Sequence, residues 1–90
     1  MNLFMVHVGF YDSSLGEGIY ESHINYFVVA KDPHEAKQKT LKLKEFKNMK
    51  MHIDGIQELN SVDGYQVTLV KESSDNKSVS YSYEEVKKLK

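Results

Sequence analysis

Ninety residues, 40% of them hydrophobic and 28% charged, fit one globular domain near the lower size at which a single core can hold a fold. The net charge of -1 speaks against a chain built mainly to neutralise nucleic acid or an anionic membrane, which call for a positive excess. With no cysteine, disulfides, thiolate–metal sites and thiol catalysis are excluded, and a cytoplasmic setting is expected.

The opening residues lack the basic segment and apolar run of a signal peptide, and no apolar stretch approaches the roughly 18 residues of a membrane span. Asn2 to Tyr11 is a strand by composition. Its even positions, Phe4, Val6, Val8 and Phe10, are apolar, and its odd positions, Leu3, Met5, His7, Gly9 and Tyr11, are mostly so. A strand covered on both faces has this character. Asp12 to Gly18 is a loop, and Ile19 to Ala30 is a second strand, so a short antiparallel hairpin is expected. Asp32-Pro33 starts a helix, with Asp32 as cap and Pro33 in the first turn. The helix is expected to reach Phe46 or Lys47, with Ala36, Thr40, Leu43 and Phe46 on one face. Met51 to Leu59 is a third strand, Ser61 to Gly64 a turn, and Tyr65 to Glu72 a fourth strand. Ser78 to Tyr81 is a short fifth strand. Ser82 with Glu85 forms a capping box for a short C-terminal helix over Tyr83 to Lys90. The predicted fold is one α+β domain over residues 1–90, with ββαββ order. Its sheet is antiparallel or mixed and carries one main helix on one face.

Four segments carry a family resemblance: "LFMVHVG" (Leu3 to Gly9), "ESHINYFVV" (Glu21 to Val29), "HIDGIQEL" (His52 to Leu59) and "VDGYQVTLV" (Val62 to Val70). In them the chain resembles a bacterial family known as domain of unknown function 1543. The resemblance implies no activity. It does imply assembly, since members often carry two such units in tandem where this sequence carries one. Members often have an acid directly after the histidine matched by His23; here Ile24 stands there. The tail from Ser73 also departs from the pattern.

His52 and Asp54 are two apart in a strand and so share a face, the arrangement of an acid orienting a histidine or of two metal ligands. Glu21 and His23 share a face for the same reason. A hairpin centred near Leu15-Gly16 sets His7 opposite Ile24 and His23 opposite Val8. That register puts His7 and His23 on opposite faces, and a one-residue slip reverses it. The catalytic candidates are Glu21, His23, His52 and Asp54, against the plainer reading of unrelated polar positions on strands. No third ligand stands at recognisable spacing along the chain, so neither metal nor cofactor is expected. His34, in the first helical turn, reads as a surface residue. Asp63-Gly64 is turn chemistry. Gly16 and Gly18 lack the strand–helix context and the Lys-Ser/Thr of a phosphate loop.

All twelve basic residues are Lys, which removes bidentate guanidinium clamps. Residues 31–50 hold seven Lys against Asp32, Glu35 and Glu45, spread around the helix rather than in a stripe. Three functions compete: a small homo-oligomeric binding or interaction module, which is favoured; an enzyme using the Glu/His/His/Asp set; and a weak nucleic-acid binder using the Lys-rich helix. A homodimer is expected, because one helix covers one face of a sheet whose strands are apolar on both. The competing arrangement folds the tail, with Val79, Tyr81, Tyr83 and Leu89, over that second face. A membrane partner is not expected, and the identity of any small ligand is left open.

Overall fold

The structure, a computed structural model, describes residues 1–11, 21–43, 51–72 and 78–90. The chain forms β1 (Asn2–Tyr11), β2 (Glu21–Ala30), α1 (Pro33–Leu41), β3 (His52–Glu58), β4 (Ser61–Val62), β5 (Tyr65–Gln66) and α2 (Tyr83–Lys87). The main sheet is antiparallel, in the order β2-β1-β3, and β4 and β5 form a separate two-stranded hairpin. The α+β class expected from sequence is therefore present. The ββαββ order is only approximate, because the strands after β3 do not join the main sheet. The loop expected over Asp12 to Gly18 lies outside the described residues.

β1 occupies the centre because its even side chains make the core. Phe4, Val6 and Val8 are fully buried, as are Ala30 and Ala36. Phe4, Ala30 and Ala36 pack with Val28 and Ile56, while Val6, Val8 and Met51 pack with Phe10, Tyr26, Ile53 and Ile56. Each fully buried Val or Phe contributes roughly 1.5–3 kcal/mol, so among the described residues this one face carries most of the buried apolar core. The β1–β2 register sets Phe4 opposite Val28, Val6 opposite Tyr26 and His7 opposite Asn25. It is one residue away from the register expected from sequence. The cause is burial: only an even-to-even pairing keeps Tyr26, Val28 and Ala30 on the same face as Phe4, Val6 and Val8.

α1 begins as expected. The Asp32 side chain accepts from the Glu35 amide at 2.8 Å, and Pro33 fills the first turn. Ala36 and Thr40 face the core, and the Thr40 hydroxyl is satisfied by donating to the Ala36 carbonyl at 2.9 Å. The helix ends at Leu41, short of the expected Phe46. The Lys42 and Leu43 amides turn back to the Lys39 and Thr40 carbonyls, tight i→i+3 bonds that close an α-helix. Residues 44–50 lie outside the described residues.

The ladder between β1 and β3 is irregular. Gly9 pairs with His52 and Val8 with Ile53, but His7 pairs with Gly55 and Val6 with Ile56. Asp54 is thus an extra residue with no partner on β1, a β-bulge. It lets Ile53 and Ile56, three apart, both reach the core.

Two expected strands are corrected. Tyr65 to Glu72 was expected as a full strand, yet only Tyr65–Gln66 pairs, because β4 offers two residues and one further bond from the Val67 amide to Asn60. Ser78 to Tyr81 forms no strand. Asp63 and Gly64 both have positive φ, 52° and 80°, as a two-residue hairpin turn requires. In α2, Ser82 and Glu85 make the expected capping box, and the helix stops at Lys87. Every residue from Ser78 to Lys90 is exposed, so Val79, Tyr81, Tyr83 and Leu89 do not cover the second face of the sheet. Among the described residues no helix is long and apolar enough to cross a membrane.

Candidate functional site

The odd positions of β1 point away from α1. Across from them on the same face stand Glu21, His23, Asn25, Phe27 and Val29 of β2. At one end of this face the side chains are Leu3, Met5, Phe27 and Val29. At the other end they turn polar. Gly9 is opposite His23 on one side and opposite His52 on the other. Having no side chain itself, it leaves a gap into which both neighbouring strands lean.

Four groups meet in that gap. His52 Nε2 lies 2.7 Å from Glu21 Oε1 and 3.1 Å from Asp54 Oδ1. His23 Nε2 lies 3.3 Å from Asp54 Oδ2 and 3.5 Å from Glu21 Oε1. The two oxygens of Asp54 thus face different histidines. A Cβ built on Gly9 would stand 2.7 Å from His52 Nε2 and 2.8 Å from Asp54 Oδ2, and closer still to Glu21 Oε1. Any side chain at this position would occupy the centre of the cluster. The bulge supplies the rest: as an unpaired residue, Asp54 turns its carboxylate between the histidines while Ile53 and Ile56 stay in the core.

His7 joins from β1. Its ring stacks on that of His23, with centroids 4.9 Å apart and planes 5° from parallel. Its Nδ1 lies 2.7 Å from Asn25 Oδ1. That oxygen only accepts, so Nδ1 is the donor of this contact, and in the neutral ring Nε2 is then the nitrogen free to accept or to ligate. Tyr11 borders the cluster, 6.3 Å from the His52 ring.

The sequence-based candidates Glu21, His23, His52 and Asp54 are therefore all brought together. His7 was expected on the opposite face from His23 and is instead stacked on it, a consequence of the register described above. His34 is exposed on α1, apart from the cluster. Of the lysines proposed for nucleic acid, Lys37, Lys39 and Lys42 are exposed. Lys39 is already held by the Val29 carbonyl and by Glu35 at 3.7 Å. Lys44, Lys47 and Lys50 lie outside the described residues.

The four side chains are between 31% and 45% exposed. Contacts this wet contribute only about 0.2–1 kcal/mol each even where both partners are charged, so the cluster adds little to folding stability. Its distances have another meaning. Two ligands about 2.1 Å from one ion, at tetrahedral or octahedral angles, lie roughly 3.0–3.4 Å apart. The observed separations, 2.7 to 3.5 Å, straddle that range. Two triads among the described residues could hold an ion, Glu21–His52–Asp54 and His7–His23–Asp54, each with its donor atoms within 4.8 Å of one another. The third ligand missing from the chain's local spacing comes from a different strand.

Residues 19–69 match the family model described as Domain of Unknown Function (DUF1543). No curated protein and no solved structure matches the chain.

Proposed function

The chain belongs to the DUF1543 family, whose description assigns no activity, and from the geometry of its surface cluster we propose that it is a small binding module for a divalent transition-metal ion. The observation that carries this reading is the approach of His52 Nε2 to Glu21 Oε1 and Asp54 Oδ1, at 2.7 and 3.1 Å, over a glycine whose missing Cβ leaves the space. One imidazole and two carboxylates suit first-row divalent ions, and the open side leaves positions for water. The apolar end of the same face supports self-association as a homodimer, with Phe27 62% exposed. The absence of thiols suits a cytoplasmic setting.

Calorimetric titration of chelator-treated protein with Zn²⁺ tests the reading. Binding is expected at micromolar affinity or better and is expected to weaken at least tenfold in His52→Ala and in Glu21→Gln. It should also weaken as pH falls, because protons compete with the ion for the imidazole. No heat, and no rise in thermal midpoint at millimolar Zn²⁺, would defeat it.

A further inference from the structure

The metal reading accounts for Glu21, His52 and Asp54 and leaves His7 and His23 without a task. These two are not ordinary surface histidines. Their ligand atoms lie within 4.8 Å of each other and of Asp54, and His7 has its Nδ1 held by Asn25 Oδ1. The two rings stack 5° from parallel, and because an imidazole lone pair lies in its ring plane, sharing one ion turns His23 out of that stack. An outer-shell carbonyl that fixes a tautomer and aims the free Nε2 is the usual support of a metal-binding histidine. Asp54 connects this pair to the first triad: Oδ1 faces His52 and Oδ2 faces His23. His23 and His52 fall into different triads, and only Asp54 belongs to both.

Resting on the metal reading above, we infer that the site holds two ions bridged by Asp54. The first sits on Glu21, His52 and Asp54 Oδ1, the second on His7, His23 and Asp54 Oδ2. Carboxylate-bridged pairs hold their ions roughly 3.5–4 Å apart and share one water or substrate oxygen between them. Here the two ions would differ in character. The first has two carboxylates and one imidazole, and the second has two imidazoles and a shared carboxylate. The nitrogen-rich position is the softer one and fills with Zn²⁺ or Co²⁺, whereas the oxygen-rich position also accepts Mn²⁺. Gly9 lies beneath the first position, since a Cβ there would crowd Glu21, His52 and Asp54 Oδ2 together.

Equilibrium dialysis against Co²⁺, with metal counted by elemental analysis, separates the possibilities. Wild-type protein is expected to retain two equivalents. His7→Ala should retain one, with its circular dichroism unchanged. Asp54→Ala should lose tight binding at both positions. Asn25→Ala keeps every ligand and removes only the orienting acceptor; it should weaken the second equivalent about tenfold or more and leave the first unchanged. Saturation of the wild type at one equivalent, unaltered by His7→Ala, overturns the two-ion centre while leaving the metal reading intact. Absence of any bound ion overturns both.

Discussion

Gly9 weakens the central strand and makes room for the site. A glycine inside a strand costs roughly 0.5–1 kcal/mol relative to alanine, and at this buried position nothing in the core requires it. What requires it is the cluster, whose atoms would meet a Cβ at 2.7 and 2.8 Å. Those atoms are the ends of partly exposed side chains, so they can swing aside and the fold can absorb a methyl group. Gly9→Ala is therefore expected to melt at the same temperature as wild type or slightly above it, while its Zn²⁺ affinity falls at least tenfold. A thermal melt and a titration on the same sample check both halves, and full retention of affinity would show that the gap is incidental. The sequence displayed Gly9 as a break in an otherwise side-chain-rich strand, but a glycine in a strand can mean a bulge, a bend or a close approach. Only the register, with His23 on one side and His52 on the other, tells which.

Among the elements, β3 departs furthest from what its sequence suggests by simple alternation. His52 and Asp54 were expected to share a face because they are two apart. They do converge, but through a bulge rather than through regular pleating. The signal was present in Ile53 and Ile56: two apolar residues three apart cannot both face the core of a regular strand, and both do. Deleting Asp54 would restore two-residue alternation between the isoleucines and leave their pairing with Val8 and Val6 unchanged. The deletion variant is expected to fold with a thermal midpoint no lower than that of Asp54→Ala, and to bind no metal. Loss of the native circular dichroism spectrum in the deletion variant alone would show that the bulge is structural. The helix starts and the capping box were legible because Asp32, Pro33, Ser82 and Glu85 act on their near neighbours. The end of α1 and the loss of most of the fourth strand were not, since both depend on which partner the backbone finds in three dimensions.

For the whole molecule, the open face of the sheet is divided along the strands, with the Glu/His/Asp cluster at one end and Leu3, Met5, Phe27 and Val29 at the other. Leu69 and Val70 border a groove beside Met1 and Val29, yet Phe27 and Val29 remain 62% and 41% exposed. Apolar surface of this kind favours pairing of like with like, and two-fold closure is its commonest form. Sedimentation at micromolar concentration is expected to give twice the 10.4 kDa chain mass. Phe27→Glu should give the monomer with an unchanged circular dichroism spectrum and with metal binding intact. A wild type that stays monomeric at all concentrations removes the dimer.

The placement of the cluster residues on all three strands of the main sheet also has a kinetic side. β1 and β2 form a hairpin, whereas β3 reaches β1 only by joining residues as distant in sequence as Phe4 and Glu58. Closing the longer loop costs more entropy, so the expected order is the hairpin first and β3 docking late. No ion can then be held by Glu21 and His52 together until the last strand is in place. An ion bound there adds nothing to the speed of folding and acts instead as a latch on the finished sheet. It slows the departure of β3 and lengthens the life of the native state in proportion to how fully the site is occupied.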